Sequence, residues 1–185
     1  ARIMGALYFI NNINEDDLVK RCRRALWRNT ALFLVFFLAF VIRTLLADGY
    51  AVRPETGEVF MEPYKYLTNF LKMPVVLLVF LVGVVAVLWG IIRTLWKPAF
   101  DKGIWFAGAG TVLTVLALLL VAGYNNTAYY PSTHDLQSSL TLANSCSSQF
   151  TLKVMAYVSI LVPFVLAYIF YAWRSIDNRK IDAKE

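Results

Sequence analysis

Charged residues are scarce in this sequence. Only 16% of the 185 residues are Asp, Glu, Lys or Arg, against about 25% in a typical soluble domain, and they form short clusters between long uncharged runs. A soluble globular fold would therefore lack its charged shell. The net charge of +6 does not indicate nucleic-acid binding, because the cations form no basic stripe and lie where membrane proteins carry them. The sequence predicts a membrane protein with no nucleic-acid partner.

Residues that carry chemistry are equally scarce. The chain has one histidine, His134, and no Walker loop, dinucleotide fingerprint, zinc-ligand spacing or catalytic triad. A haem inside a membrane needs a histidine, methionine or thiolate within a span. His134 lies in a polar segment beside Asp135, which indicates a solvated or loop-packing residue. The sequence identifies no catalytic residue and no metal site, and it leaves cofactor-binding residues unassigned.

The sulfur-containing residues are interpreted as structural. Met73 and Met155 lie near predicted helix ends without a partner ligand, which favours packing over haem ligation. Cys22 and Cys146 are predicted on opposite faces of a membrane core about 30 Å thick, whereas a disulfide needs Cα atoms within about 7 Å. They therefore cannot pair with each other. Cys146 is expected to be a free or buried thiol, with a bond to a partner as the alternative.

Long apolar runs are abundant. Four of them, over residues 31–47, 74–92, 104–124 and 154–173, are about long enough to cross a membrane. Backbone groups in lipid must be bonded within their own segment, so the runs predict helices, and the alternating pattern of a barrel is missing. The expected fold is an all-α polytopic bundle of four full spans, with a kink at Pro163 in the last one.

The residues before the first full span predict two further helical segments. Residues 1–10 are apolar but cover only about half the membrane thickness, so they are interpreted as the tail of a truncated span and the chain as a C-terminal fragment. Residues 14–28 predict a short amphipathic helix on the inner surface, capped by Asn14, with Leu18, Cys22 and Leu26 recurring every four residues. This helix should lead directly into the next span.

The distribution of basic residues predicts the orientation. Cations concentrate before the first full span, between the second and third spans, and in the tail, so by the positive-inside rule these segments and the C-terminus face the cytoplasm. The loops over residues 48–73 and 125–153 then face outward. Aromatic residues agree with this frame as interfacial belts. Tryptophans lie at inner helix ends (Trp27, Trp89, Trp96, Trp105, Trp173) and tyrosines at the outer side (Tyr50, Tyr64, Tyr66, Tyr124, Tyr129, Tyr130).

Two features inside the spans invite a functional interpretation. Arg43 lies about 6 Å from the outer end of its span. We favour a side chain that snorkels to outer headgroups or to Asp48; a contact with an anionic cofactor or a partner's buried acid is the alternative. The third span carries a predicted small-residue stripe, which indicates close packing in a bundle or against another subunit. The stripe comprises Gly103, Ala107, Gly108, Gly110, Thr111 and Thr114.

The outward loop and last span carry a family resemblance. Residues 130–155 contain Ser-Leu-Thr at 139–141, a small polar cluster and Thr-Leu at 151–152; residues 163–174 then give a proline and an aromatic, basic end. This closely resembles the C-terminal end of subunit II of cytochrome bd quinol oxidases, most specifically over residues 139–155. Residues 5–8 and 21–24 are similar to the family's helix exit and inner basic loop. Cys146 departs from the pattern, without evident catalytic meaning.

The resemblance implies a bacterial inner-membrane complex that oxidises quinol and reduces dioxygen to water. Haems b and d, and the quinol-binding loop, would belong to subunit I, so the resemblance carries no catalytic residue onto this chain. The implied partners are subunit I, the N-terminal half of subunit II, membrane lipids and quinone, with a small accessory membrane subunit as a further candidate. This half would support assembly with subunit I. The alternative function is a stand-alone four-span transporter or structural protein without haem.

Overall fold

The computed structural model describes residues 1–176, which form a mainly helical membrane fold. Among these residues, four helices are long and apolar enough to cross a membrane, and with one small sheet they confirm the predicted all-α polytopic class. In chain order the elements are α1 (Arg2–Asn12), α2 (Asp16–Leu46), β1 (Gly49–Val52), β2 (Val59–Glu62), α3 (Lys65–Lys72), α4 (Pro74–Trp96), α5 (Gly103–Gly123), a 3-10 turn (Leu136–Ser138), α6 (Leu142–Ser145) and α7 (Gln149–Ile176).

The predicted amphipathic helix and the first full span are one continuous helix, α2. No glycine or proline occurs between Asp16 and Leu46, so nothing in the sequence interrupts the backbone hydrogen bonds. The prediction that Asn14 caps this helix is wrong. Glu15 occupies the N-cap position in an extended conformation without a side-chain cap bond, and Asp16 and Asp17 lie in the first turn, where they complement the helix dipole.

Helices α4 and α5 form the centre of the fold. They are joined by a short loop and run antiparallel, since Gly83 lies against Gly110 and Gly90 against Gly103. One apolar cluster joins them to α1 and α2 through Leu7, Leu26 and Ile91, among others. A second cluster lies at the opposite end and includes Phe70, Phe80, Ala117 and Val121. The two clusters hold α1, α2, α4 and α5 as one packed body.

The segments predicted to share one side of the membrane lie at one end of the fold. We call this the basic end: the start of α2, the α4–α5 loop and the end of α7 meet there. Arg23 of α2 bonds to Thr94 at the end of α4 and to Pro98 in the α4–α5 loop, and Trp173 and Arg174 of α7 line a cleft with Lys102. The remaining tail cations, Arg179, Lys180 and Lys184, lie outside the described residues, as does the C-terminus.

The two predicted outer loops contain regular structure and pack together at the other end, which we call the hairpin end. Strands β1 and β2 pair antiparallel, from Gly49 with Glu62 to Val52 with Val59. The turn between them uses Gly57 at a positive φ of 72°, a conformation that favours glycine. Residues 126–128 join the free edge of β1, through bonds from Val52 N to Asn126 O (2.8 Å) and from Ala128 N to Tyr50 O (2.9 Å).

Helix α7 differs from the other long helices because it lies apart from the packed body over most of its length. It begins at Gln149, five residues before the predicted start of the span, and continues through Pro163 as one helix. None of its described residues is buried. In α2 only Leu26 is buried. Two apolar spanning helices therefore present most of their side chains to the surroundings.

Candidate functional site

Helices α4 and α5 meet in a tight seam, where glycines allow the two backbones to touch. A Cβ atom on Gly110 would lie 2.6 Å from the Gly83 carbonyl oxygen and 2.7 Å from Val87 N. A Cβ atom on Gly83 would lie 2.6 Å from Thr114 Oγ1 and 2.9 Å from the Gly110 carbonyl oxygen. Real Cβ atoms do not approach backbone atoms so closely, so only glycine fits at these two positions.

The predicted small-residue stripe is correct in part. Gly103, Ala107, Gly110 and Thr114 are buried on one face of α5, and the seam follows this face onward to Ala117 and Val121. Gly108 and Thr111 do not belong to the stripe. Thr111 is exposed, and Gly108 faces α1, where an added Cβ would lie 3.6 Å from Met4 Cε. Residues one position from the stripe point about 100° away from it around the helix.

An apolar cleft of about 290 Å³ opens between α2, α4 and α5 at the level of the seam. Phe33, Phe37 and Phe40 of α2 form one wall, and Val84 of α4 and Val115 of α5 lie opposite. The rings of Phe33 and Phe37 stack with centroids 5.5 Å apart. The cleft therefore offers an apolar volume inside the membrane, close to the size of a small ligand site.

Arg23 connects the start of α2 to the end of α4 at the basic end. Its guanidinium donates hydrogen bonds to the carbonyl oxygens of Thr94, Lys97 (3.5 Å) and Pro98 (2.7 Å). The last carbonyls of a helix have no partner within the helix, and a cation there also complements the helix dipole. Arg23 thus caps α4 from a neighbouring helix and fixes where α2 lies relative to the α4–α5 pair.

We predict that Arg23→Gln lowers the free energy of unfolding by about 1.5–3 kcal/mol, the range for hydrogen bonds to a charged group. Arg24 is exposed on the same helix, so Arg24→Gln removes the same charge without removing the cap and should have little effect. Thermal unfolding of both variants in detergent measures the difference. Equal losses for the two variants would show that charge alone, and not the cap, stabilises this end.

A buried polar network centred on Asn69 holds the hairpin end together. Asn69 is fully buried in α3. Its amide nitrogen donates to Val121 O and to Thr127 Oγ1, both at 2.9 Å, and its amide oxygen accepts from Asn125 Nδ2 at 3.0 Å. Every contact joins α3 to the end of α5 or to the loop after it. Because buried amides are costly without partners, this network determines how the segments of the hairpin end sit on the long helices.

The motif that carries the family resemblance is a folded support for the hairpin. The Gln137 side chain pairs with both backbone groups of Val59 at 2.9 Å, as a neighbouring strand would. Ser139 is buried and accepts a bond from Ser132 N at 3.0 Å. Thr141 and Asn144 form a capping box at the start of α6. The residues thus give the loop a defined shape against β2.

The structure places the other predicted site residues apart from one another. Arg43 is exposed near the end of α2. We had expected its side chain to reach either outer headgroups or Asp48, and among the described residues it makes no ion pair with Asp48. His134 is exposed at the hairpin end. Met73 packs against the second apolar cluster, as predicted, whereas Met155 is exposed on α7.

The two cysteines lie at opposite ends of the fold, both as free thiols. Cys22 packs against the first apolar cluster at the basic end, and Cys146 is exposed at the hairpin end. Within residues 1–176, no group of three or more His, Cys, Asp or Glu residues lies close enough to hold a metal ion. At the hairpin end, burial raises the pKa of the Tyr66 phenol, and the nearby Tyr50 adds to this, so Tyr66 stays neutral at physiological pH.

Comparisons with known proteins agree with the resemblance. The family described as cytochrome bd terminal oxidase subunit II matches residues 1–176. The chain is 32% identical over 142 residues to the cytochrome bd-I ubiquinol oxidase subunit 2 of Escherichia coli strain K12, which covers 76% of this chain and 36% of that protein. The subunit 2 proteins of strains O6:H1 and O157:H7 match with the same identity and coverage. The match thus spans little more than a third of these relatives.

Proposed function

The chain belongs to the cytochrome bd terminal oxidase subunit II family, and on that premise we propose that it is a supporting part of a quinol oxidase. In such a complex quinol is oxidised and dioxygen is reduced to water. Haems b and d would be carried by subunit I, and this chain would supply packed helices. We place it in the C-terminal half of subunit II, in the bacterial inner membrane with the basic end toward the cytoplasm, supported by the positive-inside rule.

The proposal rests on the difference between the closely packed α4–α5 pair and the exposed helices α2 and α7. The α4–α5 seam is closed by glycines, whereas α2 and α7 are long apolar helices with almost no buried residues. Lipid tails are as apolar as these side chains, so membrane helices associate by shape and packing. We propose that α2 and α7 contact subunit I or the rest of subunit II, while α4 and α5 keep α2 in place.

The apolar cleft between α2, α4 and α5 supports a second part of the proposal. Its phenylalanine wall and opposing valines would suit an apolar interior through which oxygen or quinone moves. The lining residues that the structure describes carry no charged group. This chain would accordingly shape an apolar route, and proton and electron transfer would take place in other parts of the complex.

Purification of a tagged chain from its host membrane tests the proposed function. The expected result is a complex with reduced-haem absorbance and quinol-dependent oxygen consumption. Purification of the chain alone, without haem and without oxygen consumption, would instead support a stand-alone transporter or structural protein. A tagged unrelated membrane protein from the same membranes is the control for haem carried over from other oxidases.

We predict that Arg43→Gln leaves both the amount of assembled complex and its oxygen consumption unchanged. Arg43 is exposed near the end of α2, from which a long side chain reaches headgroups. Haem content and quinol-dependent oxygen consumption of the purified variant are the two measurements, with Arg43→Lys as the charge-preserving control. A loss of activity with normal haem content in Arg43→Gln but not in Arg43→Lys would contradict this interpretation and assign Arg43 a functional contact.

A further inference from the structure

A cleft of about 560 Å³ separates the end of α7 from the rest of the fold at the basic end. It lies within the range of about 300–1,000 Å³ that is typical of ligand sites. Three elements line it: the end of α1 with Asn11 and Asn12, the start of α5 with Lys102 and Trp105, and the end of α7 with Trp173 and Arg174. The cleft therefore lies between α7 and the packed body.

Within residues 1–176, the two charged side chains that line the cleft are both cations. Lys102 and Arg174 provide two cations, and among the described residues no carboxylate lines the cleft. Lys102 is also the N-cap residue of α5, which has no side-chain cap and no acid in its first turn. A helix start in this state attracts negative charge through its free N–H groups and its dipole. A guanidinium matches the oxygens of a phosphate group in a bidentate manner.

An unused hydrogen-bond donor supports the same ligand chemistry. Asn11 Nδ2 donates to Asn12 Oδ1 at 2.7 Å, which fixes the Asn12 amide. The other atom of that amide, Asn12 Nδ2, is buried and has no acceptor among the described residues. A buried donor without a partner costs about 1–3 kcal/mol. Asn12 also lines the cleft, so a turn of its side chain towards the cleft would let an anionic oxygen there accept this hydrogen bond.

The apolar residues indicate that the anion belongs to a lipid. Trp105 and Trp173 line the cleft beside the cations, and indole rings are favoured at the level where headgroups meet acyl chains. Phe170 lies one helical turn deeper along α7 than Arg174 and also lines the cleft. Beyond it the sides of α5 and α7 are exposed and apolar, as at Leu119 and Phe164. The cations, the indole rings and the apolar helix sides thus lie in the same order as the phosphate, the glycerol region and the acyl chains of a phospholipid.

We propose that this cleft binds one anionic phospholipid, whose phosphate contacts Lys102 and Arg174 and whose acyl chains run between α5 and α7. The lipid would fill the space between α7 and the packed body. This inference goes beyond the proposed function, since it requires only that the chain is a membrane protein.

The test uses the complete complex that contains this chain, reconstituted in phosphatidylcholine with a small fraction of phosphatidylglycerol and then washed extensively in detergent. Mass spectrometry counts the phosphatidylglycerol that remains per complex. We expect about one molecule retained by the wild type and a loss of most of it in Lys102→Gln/Arg174→Gln. The control Lys20→Gln/Arg21→Gln removes the same charge from exposed positions at the basic end and should retain the lipid. Lys102→Arg/Arg174→Lys keeps both charges and should retain it as well.

Several results would overturn the proposal. The proposal is wrong if the wild type retains no phosphatidylglycerol, or if Lys102→Gln/Arg174→Gln and Lys20→Gln/Arg21→Gln retain equal amounts. It is also wrong if Lys102 cross-links to a partner protein that occupies the cleft. If the variants do not assemble, the thermal midpoint of the wild-type complex still tests the proposal. Phosphatidylglycerol should raise the thermal midpoint of the delipidated complex, whereas phosphatidylcholine and inorganic phosphate should not. Stabilisation by inorganic phosphate to the same extent would contradict a lipid as the ligand.

Discussion

Replacing Gly110 by alanine is expected to lower the stability of the assembled complex by about 1–3 kcal/mol, the usual cost of overpacking a tight contact. The added Cβ would lie 2.6 Å from the Gly83 carbonyl oxygen and 2.7 Å from Val87 N. Both are backbone atoms, so no side chain can turn away to relieve the contact, and α4 and α5 must separate. The midpoint of thermal unfolding in detergent should fall by several degrees, and the yield of assembled complex should fall with it.

Gly108→Ala is the matched control, because Gly108 lies two residues away on the same helix. Its added Cβ would meet only Met4 Cε, at an ordinary contact distance of 3.6 Å. Alanine also favours a helix over glycine by about 0.5–1 kcal/mol, so this variant should be as stable as the wild type or slightly more stable. If the two alanine variants lost the same stability, the seam would not be the contact that holds α4 and α5 together.

Asn69→Ala is expected to lower the free energy of unfolding by about 1–3 kcal/mol, the cost of leaving a buried polar group without a partner. It removes the partner of Val121 O and of Asn125 Nδ2, and one of the two partners of Thr127 Oγ1. Because the network links α3 to the loop after α5, that loop and the hairpin should loosen. Limited proteolysis at the hairpin end, together with thermal unfolding, would detect the change.

Lys72→Ala provides the comparison for Asn69→Ala, since Lys72 is exposed at the end of the same helix. It should change neither the thermal midpoint nor the rate of cleavage at the hairpin end. A cleavage rate for Asn69→Ala that matched the wild type would show that the hairpin end is held by other contacts.

The spans could be predicted because their physical requirement is visible in the sequence. A membrane helix needs about 20 apolar residues, and the runs starting at residues 31, 74, 104 and 154 meet this requirement whatever their neighbours do. The hairpin could not be predicted in the same way. Strands β1 and β2 have four residues each, too few to show an alternating pattern, and their stability comes from residues 126–128 and Gln137, which are distant in sequence.

The functional contacts were harder to predict than the spans. Arg23 is one of several neighbouring bases, and nothing local distinguishes the one that caps α4 from exposed Arg24. Helix α5 is apolar on all sides, so hydrophobicity does not reveal its packed face. A signal was nevertheless present, since the small residues from Gly103 to Thr114 that are buried recur at alternating steps of four and three. That spacing excludes Gly108 and Thr111, which the prediction had included.

The most direct test of a supporting role compares two quantities in the Gly110→Ala and Asn69→Ala variants. The first is the amount of haem-containing complex recovered from the membrane, and the second is quinol-dependent oxygen consumption per haem. If this chain supports assembly and carries no chemistry, the amount of complex should fall while oxygen consumption per haem stays at the wild-type value. Normal recovery of the complex with a reduced rate per haem would contradict this account and place part of the chemistry within these helices.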